Sequence, residues 1–155
     1  MIARPLLFLD VDGTLLPYGS TPHHQSAPEG NPLLGKLDPG IGARLLALGC
    51  DLVWATTWQA VANEEIAPRI GLPPLPVVEF PDADDDPPGV HWKAPILVEY
   101  AAGRPFSWLD DEIGVADGRW IGAHHPGAAL AHRVDPMFGV TDADLQVVRV
   151  WIDSE

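Results

Sequence analysis

The stretch Leu6-Leu-Phe-Leu-Asp-Val-Asp-Gly-Thr-Leu-Leu-Pro17 decides the fold. Four apolar residues run without interruption into two aspartates, Asp10 and Asp12, set one residue apart. A short apolar run bounded by Pro5 and Gly13 reads as a strand buried on both faces. Strands of that kind are typical of parallel sheets, which are covered on both faces.

The pattern repeats downstream. Cys50-Asp-Leu-Val-Trp-Ala-Thr-Thr-Trp58 reads as a second buried strand ending near Thr56, and Leu75-Pro-Val-Val-Glu-Phe80 as a third. Pro105-Phe-Ser-Trp-Leu-Asp-Asp-Glu112 gives a fourth, again ending in carboxylates, and Ala128–Asp135 a weaker fifth. Helices are expected between them. Residues 38–49 carry Asp38 as N-cap, Pro39 at the first position and a closing Gly49. Residues 59–71 read as one helix stopped by Pro68 and Gly71. Residues 93–103 present Ile96, Leu97, Tyr100 and Ala101 inward. Residues 116–127 are poorly patterned. At the end Thr141 caps a helix, with Asp144 completing a capping box and Leu145, Val148, Trp151 and Ile152 as its stripe. The alternation predicts an α/β fold, a doubly wound parallel sheet of five core strands, with 1–155 as a single domain.

Composition narrows the function. Twenty-two acidic residues against nine basic ones give a net charge of −13. That balance disfavours nucleic acid and an anionic membrane as main partners. The lone Cys50 cannot pair internally, and the N-terminus does not resemble a secretory signal, so a cytoplasmic location is expected. No apolar run approaches the ~20 residues of a membrane span. Histidine pairs at 23–24 and 124–125 lack spaced partners for a metal site. The acidic run at 82–86 lacks the glycine of a calcium loop and reads as solvated.

In an open parallel sheet the carboxyl ends of all strands share one edge, and ligands bind there where strand order reverses. Asp10, Asp12, Thr56, Thr57, Asp110 and Asp111 therefore converge. Lys93, one of only two lysines, opens the helix before the fourth strand and reaches the same edge. Crowded carboxylates call for a hard cation, and oxygen-only ligands suit Mg²⁺. With Lys93 as a positive point and Thr56 as a neutral donor, they describe a phosphate site in which one carboxylate is free to attack.

Asp-Val-Asp-Gly-Thr, then Thr56, Lys93 and Asp-Asp in that order, resembles the haloacid dehalogenase (HAD) superfamily of phosphatases. The motifs span residues 10–111 and the strand pattern covers nearly the whole chain. The resemblance implies strand order 5-4-1-2-3 and a Mg²⁺-dependent phosphatase acting on a phosphate monoester through an aspartyl-phosphate. By it, Asp10 is the nucleophile and Asp12 the acid and base, with its backbone carbonyl on the metal. Thr56 bonds the phosphate, a role Thr57 could also take, Lys93 offsets charge, and the pair Asp110 and Asp111 completes the metal shell through one or both of its acids. Gly13, Thr14, Thr57 and Trp58 are the expected substrate contacts. An Asp at position 12 favours phosphate chemistry over dehalogenation, which has no leaving oxygen to protonate. Trp58 and Trp92 read equally as core or as pocket mouth, and His91 as a weak substrate contact.

The inserts after the first motif and between the second and third leave no room for a folded cap, so an open, capless site is expected. The loop at 17–37 then shapes the pocket, or a partner acts as lid. The substrate is expected to be a small phosphorylated molecule or a phosphoprotein. Alternatives are a phosphotransferase using the same intermediate and a non-catalytic HAD-like binding scaffold. A phospho-acceptor signalling domain uses similar residues, but its acid pair precedes the acceptor Asp, the reverse of the order here.

Overall fold

A computed structural model describes residues 4–19, 32–80 and 89–154. Most of the 17–37 loop, with His23–His24, and the acidic run at 82–86 lie outside the described residues. The elements, in order, are β1 (Leu6–Leu9), a 3₁₀ turn (Pro32–Lys36), α1 (Ile41–Leu46), β2 (Asp51–Trp54), α2 (Val61–Glu65), α3 (Ala67–Ile70), α4 (Lys93–Ala101), β3 (Phe106–Asp110), α5 (Val115–His124), β4 (Ala129–Arg133) and α6 (Asp142–Asp153).

All paired strands run parallel, in the order β2-β1-β3-β4. The period of two along β1 divides the core. Leu7 and Leu9 pack on one face with Ile41 and Leu45 of α1 and Leu145 and Val148 of α6. Leu6 and Phe8 pack on the other with Ala94 and Leu97 of α4 and Ile121 of α5. Every residue of β1 is buried, as expected of a central strand covered on both sides. The chain goes from β1 to β2 on one flank, then crosses to β3 on the other. Strand order therefore reverses at β1, which makes its carboxyl end the binding crevice.

Four strands are described, not the five expected from sequence, and the third predicted strand is the missing one. The other four keep their expected relative order. Residues 75–80 lie where that strand was predicted, but only Val77 forms a bridge, to Trp54. Trp54 N–H donates to the Pro76 carbonyl and Val78 N–H to the Trp54 carbonyl, each at 2.9 Å. The next donor facing β2 would be the amide of residue 76, and proline has none, so the ladder stops. One residue earlier a side chain replaces a strand. The Asn63 carboxamide accepts from Leu75 N–H and donates to the Leu75 carbonyl, both at 2.8 Å, and Trp54 Nε1 holds the same oxygen at 2.7 Å.

The helix expected over 59–71 is two short ones. Pro68 does not end it; it occupies the first turn of α3, where a missing N–H does no harm. Gly71, at φ 79°, closes α3 as expected. Gly40 rather than Asp38 is the N-cap of α1, and Asp38 instead accepts from Gly40 N–H at 2.9 Å. In α4 the buried residues are Lys93, Ala94, Leu97 and Ala101, while Tyr100 is exposed. The Thr141–Asp144 capping box forms as predicted. No helix among the described residues is long and apolar enough to cross a membrane.

Candidate active site

Asp10 follows β1 directly and Asp110 ends β3, so the register of adjacent parallel strands sets them side by side. Lys93, the first residue of α4, enters from the sheet face and joins them. Its Nζ lies 3.0 Å from Asp10 Oδ1 and 2.8 Å from Asp110 Oδ2, and it donates to the Ala55 carbonyl at 2.9 Å. Lys93 is only 4 % exposed, Asp10 6 % and Asp110 1 %. A lysine buried to that degree is stable only with its donors matched, and all three are. Thr14 Oγ1 donates to the second Asp10 oxygen at 3.1 Å. Thr14 reaches back because the chain turns tightly here, with Thr14, Leu15 and Leu16 N–H all directed at the Val11 carbonyl. Gly13 permits the turn at φ +77°, and a Cβ there would collide with the Asp111 carboxylate.

Asp111 completes the acid cluster. Asp10, Asp110 and Asp111 each offer an oxygen, all within 4.8 Å of one another. Burial, then Lys93 and Asp110 acting in opposite directions, leaves the Asp10 carboxyl raised from 3.8 to about 7. Burial, followed by the Asp110 charge, raises Asp111 to about 6. Burial alone would lower the Lys93 ammonium, yet Asp10 and Asp110 outweigh it and its value rises. The cluster is thus short of positive charge, and its donors are all oxygens. That fits a hard divalent cation held by these three carboxylates.

Asp12 stands apart from the cluster. Its exposed side chain accepts from Trp58 Nε1 at 3.1 Å, which orients it beside the crevice. Trp58 is thereby both packed against the core and engaged at the site. Thr56 is fully buried and its hydroxyl accepts from Trp58 N–H at 3.2 Å. Thr57, not Thr56, lines the crevice, a cleft of about 250 Å³ bounded by the four aspartates, Lys93, Tyr18, His91, Trp92 and Glu112. Two larger clefts lie elsewhere among the described residues, and neither holds this set of groups.

His91 is a neighbour of the site, but both its ring nitrogens are engaged. Nδ1 accepts from Lys93 N–H at 3.0 Å, and Nε2 lies 3.3 Å from Glu112 Oε2. Tyr18, Glu112 and the buried Asp117 were not singled out from the sequence. Tyr18 sits in a loop with no periodicity. Asp117 had a signal, since it stands three residues after Gly114 at a helix start, where an acid caps free N–H groups.

Residues 6–145 match the family described as the HAD domain in Swiss Army Knife RNA repair proteins. The chain belongs to that family, and so to the HAD superfamily, whose members are generally hydrolases or phosphotransferases. No curated protein and no solved structure matches it.

Proposed function

We propose that this protein is a Mg²⁺-dependent phosphomonoesterase working through an aspartyl-phosphate on Asp10. One observation supports this above all: a buried carboxylate at the strand switch point, pinned by Lys93 and Thr14 and faced by two further acids. Mg²⁺ bound among Asp10, Asp110 and Asp111 would supply the positive charge that the phosphoryl oxygens and these acids need. Lys93 and Thr14 hold the Asp10 carboxylate still, so that one oxygen meets phosphorus. Asp10 then gains the phosphoryl group while the ester oxygen leaves and takes the proton of Asp12. A water then attacks phosphorus and gives one of its own protons to Asp12, freeing inorganic phosphate and Asp10. Trp58 aims Asp12 at the leaving oxygen, and Thr57 is the hydroxyl placed to contact the phosphate. Among the described residues, only α2, α3 and the extended segment 72–80 separate β2 from the approach to α4, which supports an open, capless site.

Two substrate classes compete. The net charge of −13 offers no basic track for a polynucleotide and favours a small phosphorylated molecule or phosphoprotein. The family description, with its RNA repair proteins, favours a phosphorylated RNA terminus. A single screen decides: phosphate release with Mg²⁺ from metabolites, phosphopeptides and RNA carrying a 5′ or 3′ phosphate. Transfer to an added alcohol in competition with water would establish a phosphotransferase. Ligand binding with no turnover on any of them would defeat the enzymatic reading and leave a binding scaffold.

Asp12 has its own test. General acid help is worth roughly 10²–10⁴ in rate, and most for a strongly basic leaving group. Asp12→Asn should therefore slow alkyl phosphates more than nitrophenyl phosphate in the first step. The second step loses its base, so a burst of nitrophenol followed by slow turnover is expected. Equal losses on both substrates without a burst would reduce Asp12 to a structural role.

A further inference from the structure

The geometry points to Asp117 and His91 as a positioning pair that fixes Lys93 against the acid loop. This rests on the phosphatase reading for its catalytic meaning, though not for its structural test. Asp117 lies in the first turn of α5, beyond the cation cluster, and is 4 % exposed. Its two oxygens serve two different loops. One accepts from His91 N–H at 2.5 Å; the other accepts from Gly114 N–H at 2.6 Å. The first bond holds the turn that leads into α4, and the second holds the turn that follows Asp110 and Asp111. A single buried carboxylate thus joins the strand of chain carrying the cation to the one carrying the acids.

His91 continues the connection. Because its Nδ1 accepts from Lys93 N–H, the ring proton sits on Nε2, which faces Glu112 across 3.3 Å. The ring itself is clamped, edge-on to Trp108 at 5.4 Å and stacked on Trp92 at 5.5 Å. So the backbone nitrogen of Lys93 is placed from one end, while its Nζ is placed from the other by Asp10, Asp110 and Ala55. With both ring nitrogens occupied and its side chain only 6 % exposed, His91 acts here as a positioning residue on the border of the crevice.

Substitution can separate these contacts. An amide at 117 offers one acceptor, and its NH₂ must face the second N–H donor, so Asp117→Asn loses one of the two loops. His91→Ala removes the Lys93 acceptor. His91→Asn keeps it, since an Asn oxygen readily accepts from the amide two residues on.

The chain's two lysines make the readout direct. The folded protein is pulsed with acetic anhydride, and acetylation at Lys93 is compared with Lys36 by peptide mass spectrometry. In the wild type Lys93 should be protected relative to Lys36. Asp117→Asn and His91→Ala should raise the Lys93-to-Lys36 ratio roughly tenfold, and His91→Asn should restore protection. On a monoester substrate, kcat should fall roughly 10–100-fold in the first two variants with a smaller change in KM. The expected labelling supports the pair even if the wild type hydrolyses no monoester, a result that would count against the phosphatase reading alone. An unchanged ratio, Lys36 and Lys93 rising together, or His91→Asn labelling like His91→Ala would each overturn the pair, whatever the activity.

Discussion

Asp10→Asn is expected to abolish turnover, by roughly 10⁴-fold or more, while the fold survives. An amide cannot attack phosphorus, yet it can keep both local bonds. Its oxygen accepts from Lys93, and the Thr14 hydroxyl can turn to accept from its NH₂. Stability should even rise at neutral pH without metal. In the folded protein the Asp10 carboxyl is raised from 3.8 to about 7, chiefly by burial. Between those values the native state keeps a proton that the unfolded chain releases, so stability falls as pH climbs from about 4 to about 7 and stays low above. The Asn variant lacks this loss. Its advantage over the wild type should grow across that window to a few kcal/mol, on the order expected for such a displacement. Urea unfolding at pH 5 and pH 8 with chelator measures it. Mg²⁺ should stabilise the wild type more at pH 8 than at pH 5. A gap between wild type and variant that does not vary with pH would mean that Asp10 is ionised throughout.

Lys93→Met should cost about 3–5 kcal/mol in the metal-free protein at pH 8. Methionine fills the channel of the lysine stem but leaves two buried carboxylates facing each other and the Ala55 carbonyl without its donor. At pH 5 the loss should shrink, because Asp10 then carries a proton. Mg²⁺ should recover part of the stability at pH 8 by replacing the missing positive charge, though not the activity. Denaturant titrations at the two pH values, with and without Mg²⁺, test all three statements. A loss below about 1 kcal/mol at pH 8 would mean that water screens the pair and that the site is wetter than its burial indicates.

The features readable from sequence were those in which local pattern and tertiary role coincide. β1 and β3 are apolar runs ending in acids, and their parallel pairing follows from burial on both faces. Lys93 was legible as a scarce residue opening the helix that leads into a strand whose end is acidic. What failed depended on backbone hydrogen bonding that apolar patterning does not record. Residues 75–80 have the composition of a strand, yet Pro76 removes the amide that would have carried the ladder on. Pro68 reads as a stop, but a helix can restart around a proline placed in its first turn. Thr56 and Thr57 are identical in composition terms, and only the turn geometry sends one inward to Trp58 N–H and the other to the cleft. Asp117 is seven residues from Asp110, and its partner His91 lies across the sheet face, a separation that no local pattern reports.

Asn63 also bears on how copies of the chain meet one another. A sheet edge with free amides is a template on which a second molecule can lay its own strand. On the β2 flank the donor and acceptor of Leu75 are already occupied by the Asn63 carboxamide, and the neighbouring residue is a proline. A strand from another copy arriving there finds that pair of bonds spoken for, so edge-to-edge growth is blocked at this register. Asn63→Leu would keep the bulk and remove the plug. The same side chain that takes the place of a strand beside Leu75 within one molecule thus guards against the sheet's continuation into the next.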